Sequence, residues 1–141
     1  MKSEPFILER IINAPTKKVW SALTNKDEMK KWYFNIAEFK PEVGFEFSFT
    51  ASNETIEYVH LCVITEVVEE KKLAYTWRYK NFQGISLVRF ELFAEGNKTR
   101  LKLTHEELET FANNGKDFTK ESFSQGWNYI IGKSLPAYVE Q

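Results

Sequence analysis

From Phe45 to Thr104 the apolar residues recur mostly at every second position, and no other feature limits the possible folds so strongly. Phe45, Phe47 and Phe49 alternate with Glu46, Ser48 and Thr50. Leu73, Tyr75, Trp77 and Tyr79 share one parity. Val88, Phe90 and Leu92 oppose Arg89, Glu91 and Phe93, and Leu101 and Leu103 oppose Arg100, Lys102 and Thr104. A period of two sends alternate side chains to opposite faces, so these segments are expected as half-buried strands. Residues from about Ile56 to Val67 are apolar at both parities, which predicts a longer strand covered in part on each side. The segments Pro41-Glu42-Val43-Gly44, Lys71-Lys72, Asn81 to Gly84 and Gly96-Asn97-Lys98 punctuate the run. Strands joined by such short turns pair antiparallel.

The period is helical on both flanks. Phe6 to Ile12 is an apolar strand ending at Asn13-Ala14-Pro15, and Pro15 suits the first turn of a helix carrying Val19, Trp20 and Leu23. Asn25 can cap a second short helix through Asp27, Glu28, Met29 and Trp32. Beyond a loop at Asn113-Asn114-Gly115 and a cap at Thr119, a stripe of Phe123, Trp127, Ile130, Ser134 and Tyr138 predicts a long amphipathic helix. Ile131 and Leu135 lie beside the stripe, and Pro136 is expected to bend the last turn. A helix with one apolar face must bury it, and the sheet is the large partner on offer. The expected class is α+β: a curved antiparallel sheet of about six to seven strands around the C-terminal helix, with two short helices after the first strand.

With 141 residues and no repeat or linker, the chain is expected to form one domain over residues 1–141. Nineteen basic residues against twenty acidic ones leave a net charge of −1, which disfavours nucleic acid as a partner. Cys62 is the lone cysteine, so no intramolecular disulfide can form. Met1-Lys2-Ser3-Glu4-Pro5 leads into Phe6-Ile7-Leu8 and then Glu9-Arg10, too short and too charged a beginning for a signal peptide. No apolar run reaches the roughly 18 residues of a membrane span. The expectation is a cytoplasmic protein, monomeric or weakly dimeric.

Motifs for chemistry are sparse. His60 and Cys62 share a strand face, but no third or fourth ligand is nearby, and neither metal nor cofactor is expected. His105-Glu106-Glu107 has Glu109 where a zinc-protease helix needs a second histidine, and it is expected as a strand end. Gly132-Lys133-Ser134 lacks a correctly spaced upstream glycine for a phosphate loop. Glu69-Glu70 and Glu106-Glu107 fit solvated turns, and Arg89 fits the outer sheet face. The aromatic content is the unusual quantity: 12 Phe, 6 Tyr and 4 Trp make 16% of the chain. Phe47, Phe49, Tyr75, Trp77, Tyr79, Phe90, Trp127 and Ile130 are expected between sheet and helix, as a filled core or as the wall of a cavity. Ser122, Gly126 and Ser134 are expected on the inward helix face, where small side chains leave room.

Four local motifs point to a family. Asn13-Ala14-Pro15 through Val19-Trp20-Ser21-Ala22-Leu23-Thr24 is similar to its first helix, and Lys31-Trp32-Tyr33 to the end of its second. Pro41-Glu42-Val43-Gly44-Phe45-Glu46-Phe47 resembles a glycine-initiated strand in which a second glycine is common and Phe45 stands here. Gly126-Trp127 with Leu135, Tyr138 and Val139 resembles its C-terminal helix. The chain thus resembles the START-like (SRPBCC) superfamily, in the branch of the C-terminal domain of the heat-shock-protein-90 ATPase activator. The resemblance implies a helix-grip fold with a deep cavity, as in lipid carriers, plant pollen allergens and polyketide aromatase/cyclases. It implies no single activity. Three functions are expected from it. The first is binding of a small apolar or aromatic molecule between sheet and helix, with little or no catalysis. The second is an enzyme of polyketide cyclase/dehydratase type using His60, Tyr75 or Tyr79. The third is a module contacting a chaperone.

Overall fold

A computed structural model describes residues 4–52, 56–115 and 118–140, so Met1 to Ser3 of the N-terminal segment lie outside the described residues. The alternating segments become six strands: β1 (Phe6–Ile12), β2 (Glu46–Ser52), β3 (Glu57–Val68), β4 (Lys72–Tyr79), β5 (Ser86–Glu95) and β6 (Lys98–Glu106). They form one curved antiparallel sheet in the order β1-β6-β5-β4-β3-β2. The register aligns inward residues across the sheet. Leu8 faces Leu103, Leu103 faces Phe90, and Phe90 faces Leu73. Between β3 and β4 the register shifts at Ile64/Glu66. Nearby, Thr76 Oγ1 accepts from the Val63 amide at 3.0 Å, a side chain standing in where the ladder is irregular.

Helices α1 (Thr16–Thr24) and α2 (Lys26–Trp32) follow β1. Pro15 is the residue before α1 rather than inside it, and Asn25 caps α2 by accepting from the Asp27 and Glu28 amides at 2.9 and 3.2 Å. The segment expected as a loop at Asn113-Asn114-Gly115 instead closes a 3₁₀ helix, Leu108–Asn114. Its reason lies in Leu108 and Phe111, which stand above one another at three-residue spacing and are both buried. Thr110 and Asn114 bond the backbone of Ile85 and Gln83. Gly84 permits that approach: its φ is +99°, and a Cβ there would lie 2.7 Å from Phe111 Cδ1 and against the Thr110 carbonyl.

The C-terminal helix runs as α3 (Lys120–Tyr129), a π turn (Ile130–Ser134) and α4 (Leu135–Val139). Thr119 caps it, accepting from the Ser122 amide at 3.1 Å. The buried stripe is Phe123, Trp127, Ile131, Leu135 and Val139, which corrects the expected stripe of Ile130, Ser134 and Tyr138; those three are half-buried. A spacing of four drifts around a 3.6-residue helix, and the wider π turn returns Leu135 and Val139 to the buried side. The same turn carries Pro136 without a break, since residues 130, 134 and 135 keep right-handed helical angles. Proline has no N–H for the Gly132 carbonyl, and Arg10 on β1 supplies the missing donor at 2.9 Å.

Candidate functional site

Seven of the expected residues meet in one cluster. Phe47, Phe49, Tyr75, Trp77, Tyr79, Phe90 and Trp127 are all buried on the face that meets the C-terminal helix. Trp127 lies 5.5 Å from Trp77 and 6.0 Å from Phe90, Phe49 lies 5.6 Å from Trp77, and Phe47 lies 5.0 Å from Tyr75. These are contact distances for aromatic pairs, so side chains occupy the centre of the cluster. Ile130 stands off it, half-buried beside the stripe. Nor do the small residues make room inside. Gly126 is exposed, one position around the helix from Trp127, and Ser134 gives its hydroxyl to the Trp32 carbonyl at 2.5 Å.

A hydrogen-bonded chain that sequence reasoning missed runs through the cluster. Trp127 Nε1–H donates to His105 Nδ1 at 3.0 Å, which places the proton of the neutral ring on Nε2. That proton meets Ser86 Oγ at 2.8 Å, and Ser86 donates onward to the Trp77 carbonyl at 2.8 Å. Every donor has one acceptor. Burial lowers the His105 pKa from 6.5 to about 3, so the ring stays neutral and the accounting holds. His105 is a strand residue, as expected, but its position behind Trp127 depends on pairing across the chain. On the other side, the Tyr33 and Tyr75 hydroxyls meet at 2.7 Å, and burial raises both phenols well above their ordinary value.

His60 and Cys62 do face inward together. His60 stacks on Phe49 at 4.3 Å, lies 4.6 Å from Tyr79, and approaches the Tyr58 carbonyl through Nδ1 at 3.1 Å. Burial lowers its pKa to about 4 and pushes the Cys62 thiol up. Among the described residues no three His, Cys, Asp or Glu side chains gather as a metal would require. Arg89 lies on the outer face and pairs with Glu106 at 2.6 Å.

Open space lies at the edge of the cluster. Ala51, Tyr58, His60, Tyr79 and Phe118 line a pocket of about 110 Å³. Leu108, Glu109, Ala112, Gly115, Phe118, Thr119 and Lys120 line a second one of about 290 Å³. Phe118 is the residue common to both. It packs edge-on to Tyr79 at 4.8 Å and lies 5.0 Å from Phe82 and 5.8 Å from Phe111. Tyr79 Oη accepts from Trp77 Nε1 at 2.8 Å, a bond that does not use the phenol's own proton.

Residues 13–140 match the family described as activator of Hsp90 ATPase homolog 1-like protein. No curated protein matches the sequence significantly. Among solved structures, protein CV1439 from Chromobacterium violaceum superposes with a TM-score of 0.82 at 20% identity, covering 98% of each chain. CalU16 from Micromonospora echinospora gives 0.70 at 18% identity over 99% of this chain and 83% of its own. DynU16, of the dynemicin biosynthetic locus, gives 0.78 at 16% identity over 99% of this chain and 48% of its own. At such identities the likeness shows the fold, and it is the helix-grip fold read from the strand and helix order. With the family matched from the turn after β1 to the end of α4, the chain belongs to the activator of Hsp90 ATPase homolog 1-like family of the START-like (SRPBCC) superfamily.

Proposed function

We propose that this domain binds a small apolar or aromatic molecule that enters the ring-lined interior beside Phe118. The observation that carries this reading is the pocket of about 110 Å³ at Ala51, Tyr58, His60, Tyr79 and Phe118. It is apolar, it touches the aromatic cluster, and it presents two polar groups, the features of a small-molecule site. Apolar area removed from water would supply affinity at about 25 cal/mol per Å², before the costs of association. The Tyr79 hydroxyl and the His60 imidazole would supply selectivity. The space admits about one small ring, well below the roughly 300 Å³ of a typical ligand site, so a larger guest displaces Phe118. Phe47, Phe49, Tyr75, Trp77, Phe90 and Trp127 then form the inner wall, with Ile130 at its margin. Native mass spectrometry of protein purified from its own cells tests the reading by a retained small molecule. No retained molecule, together with an apolar dye that fatty acids and polyphenols fail to displace, overturns it.

A second reading rests on the imidazole and phenol in one pocket. A pKa of about 4 keeps His60 unprotonated at neutral pH and able to accept a proton, though it makes the ring a weak base. The fold's resemblance to that of polyketide aromatase/cyclases is what suggests a cyclase-type reaction. Family membership supports a third, contact with a chaperone, tested by stimulation of an Hsp90-class ATPase. The place of action we propose is the cytoplasm, as one domain, monomeric or weakly dimeric. Cys62 as a buried thiol suits a reducing compartment. Among the described residues no helix is long and apolar enough to cross a membrane.

A further inference from the structure

We infer that the groove between α2 and the C-terminal helix is a docking surface for an acidic peptide segment of a partner protein. Lys31, Tyr129, Lys133, Ser134, Ala137 and Tyr138 line an open groove of about 640 Å³ on the side of the helix turned away from the sheet. Its lining holds two lysines and no carboxylate, whereas on the sheet Arg89 pairs with Glu106 at 2.6 Å, Arg100 with Glu9 at 2.7 Å and Glu95 at 2.9 Å, and Lys72 with Glu66 at 3.3 Å. Lys31 and Lys133 have no carboxylate within 4.0 Å among the described residues. Two uncompensated ammonium groups flanking one groove call for carboxylates from outside.

The groove is built to hold its shape. Ser134 ties the helix to the Trp32 carbonyl at 2.5 Å, and the Tyr138 hydroxyl donates to Glu28 at 2.9 Å. The Lys31 ammonium stands 6.0 Å over the Tyr138 ring, which directs it toward the groove. Tyr129 leaves 63% of its surface exposed and gives the groove an aromatic face for an apolar side chain to cover. Tyr129, Lys133 and Ala137 follow at four-residue steps along about 12 Å of helix, the length of three or four extended residues. A shallow trough of that length fits a strand of peptide with carboxylates against the lysines and an apolar side chain against Tyr129. The surface is independent of the Phe118 pocket, and its failure would leave that reading standing.

Fluorescence anisotropy with a fluorescein-labelled Asp/Glu-rich peptide carrying one tryptophan tests it on the full chain, beside the Asn/Gln version of the same peptide. The acidic peptide binds and added salt weakens it. Lys31→Glu with Lys133→Glu weakens it roughly tenfold or more, while Lys80→Glu with Lys98→Glu, the same charge change elsewhere, leaves it unchanged. Tyr129→Ala weakens binding without removing its salt dependence, and serves if the charge-reversed protein fails to fold. The inference is overturned by no binding of the acidic peptide, by equal binding of the amide version or of the Lys31/Lys133 variant, or by binding to phosphatidylserine vesicles alone.

Discussion

Acid should unfold this domain through its two buried histidines, and His105 offers the cleaner measurement. Its ring is fully buried, and burial holds its pKa at about 3 against 6.5 in an exposed chain. Between those values the unfolded chain carries a proton that the folded chain refuses, so stability is complete above 6.5 and falls as pH falls toward 3. At about pH 5 one such histidine costs about 2 kcal/mol, and His60, lowered to about 4, adds a similar amount. A total of about 4 kcal/mol is a large share of the 5–15 kcal/mol typical of a domain. Urea unfolding followed by tryptophan fluorescence, at about pH 7.5 and about pH 5, measures it in wild type and His105→Leu. The variant orphans the Trp127 indole N–H and removes the donor to Ser86 Oγ, and should lose about 1–3 kcal/mol at the higher pH. Its further loss on acidification should nevertheless be about 2 kcal/mol smaller than that of wild type. An identical acid loss in both proteins would refute the reasoning, because the neutral His105 would then not be what acid attacks.

Three further outcomes are expected. Arg10→Ala removes the side-chain donor to the Gly132 carbonyl and should cost about 1 kcal/mol in urea unfolding, with Arg10→Lys recovering part of it. Phe118→Ala joins the pockets of about 110 and 290 Å³, so an apolar dye should bind more tightly while the protein loses about 3 kcal/mol; unchanged dye binding would remove Phe118 from the entrance. Cys62 is 2% exposed and burial pushes its thiol up, so it should resist alkylation at neutral pH in native protein and react once urea unfolds the chain.

Much of the fold was legible because its signals are local. The parity of Phe47 and Phe49, of Tyr75, Trp77 and Tyr79, and of Val88 and Phe90 assigns each side chain to a face without any knowledge of the partner strand. Asn25 and Thr119 announce helix starts because a cap acts within three residues. The helix stripe was misjudged at Ile130 because the π turn is not written in the spacing. It is selected where Ile131, Leu135 and Val139 must all be buried along one side of the helix around Pro136. The 3₁₀ helix at Leu108–Asn114 was hidden by its Asn-Asn-Gly ending, which reads as a turn, while Phe111 anchors it from inside.

Periodicity and capping, acting over a few residues, therefore sufficed for the class of fold, the strand order in sequence and the faces of most rings. Everything that gives those rings individual roles came from contacts between distant parts of the chain. His105 is an ordinary strand position until Trp127 and Ser86 close on its two nitrogens. Tyr33 is a loop residue until its hydroxyl finds Tyr75, and Phe118 is unremarkable until it stands between two pockets. A hydrogen bond or a cavity is a relation between groups brought together by folding, and linear order carries no measure of that separation.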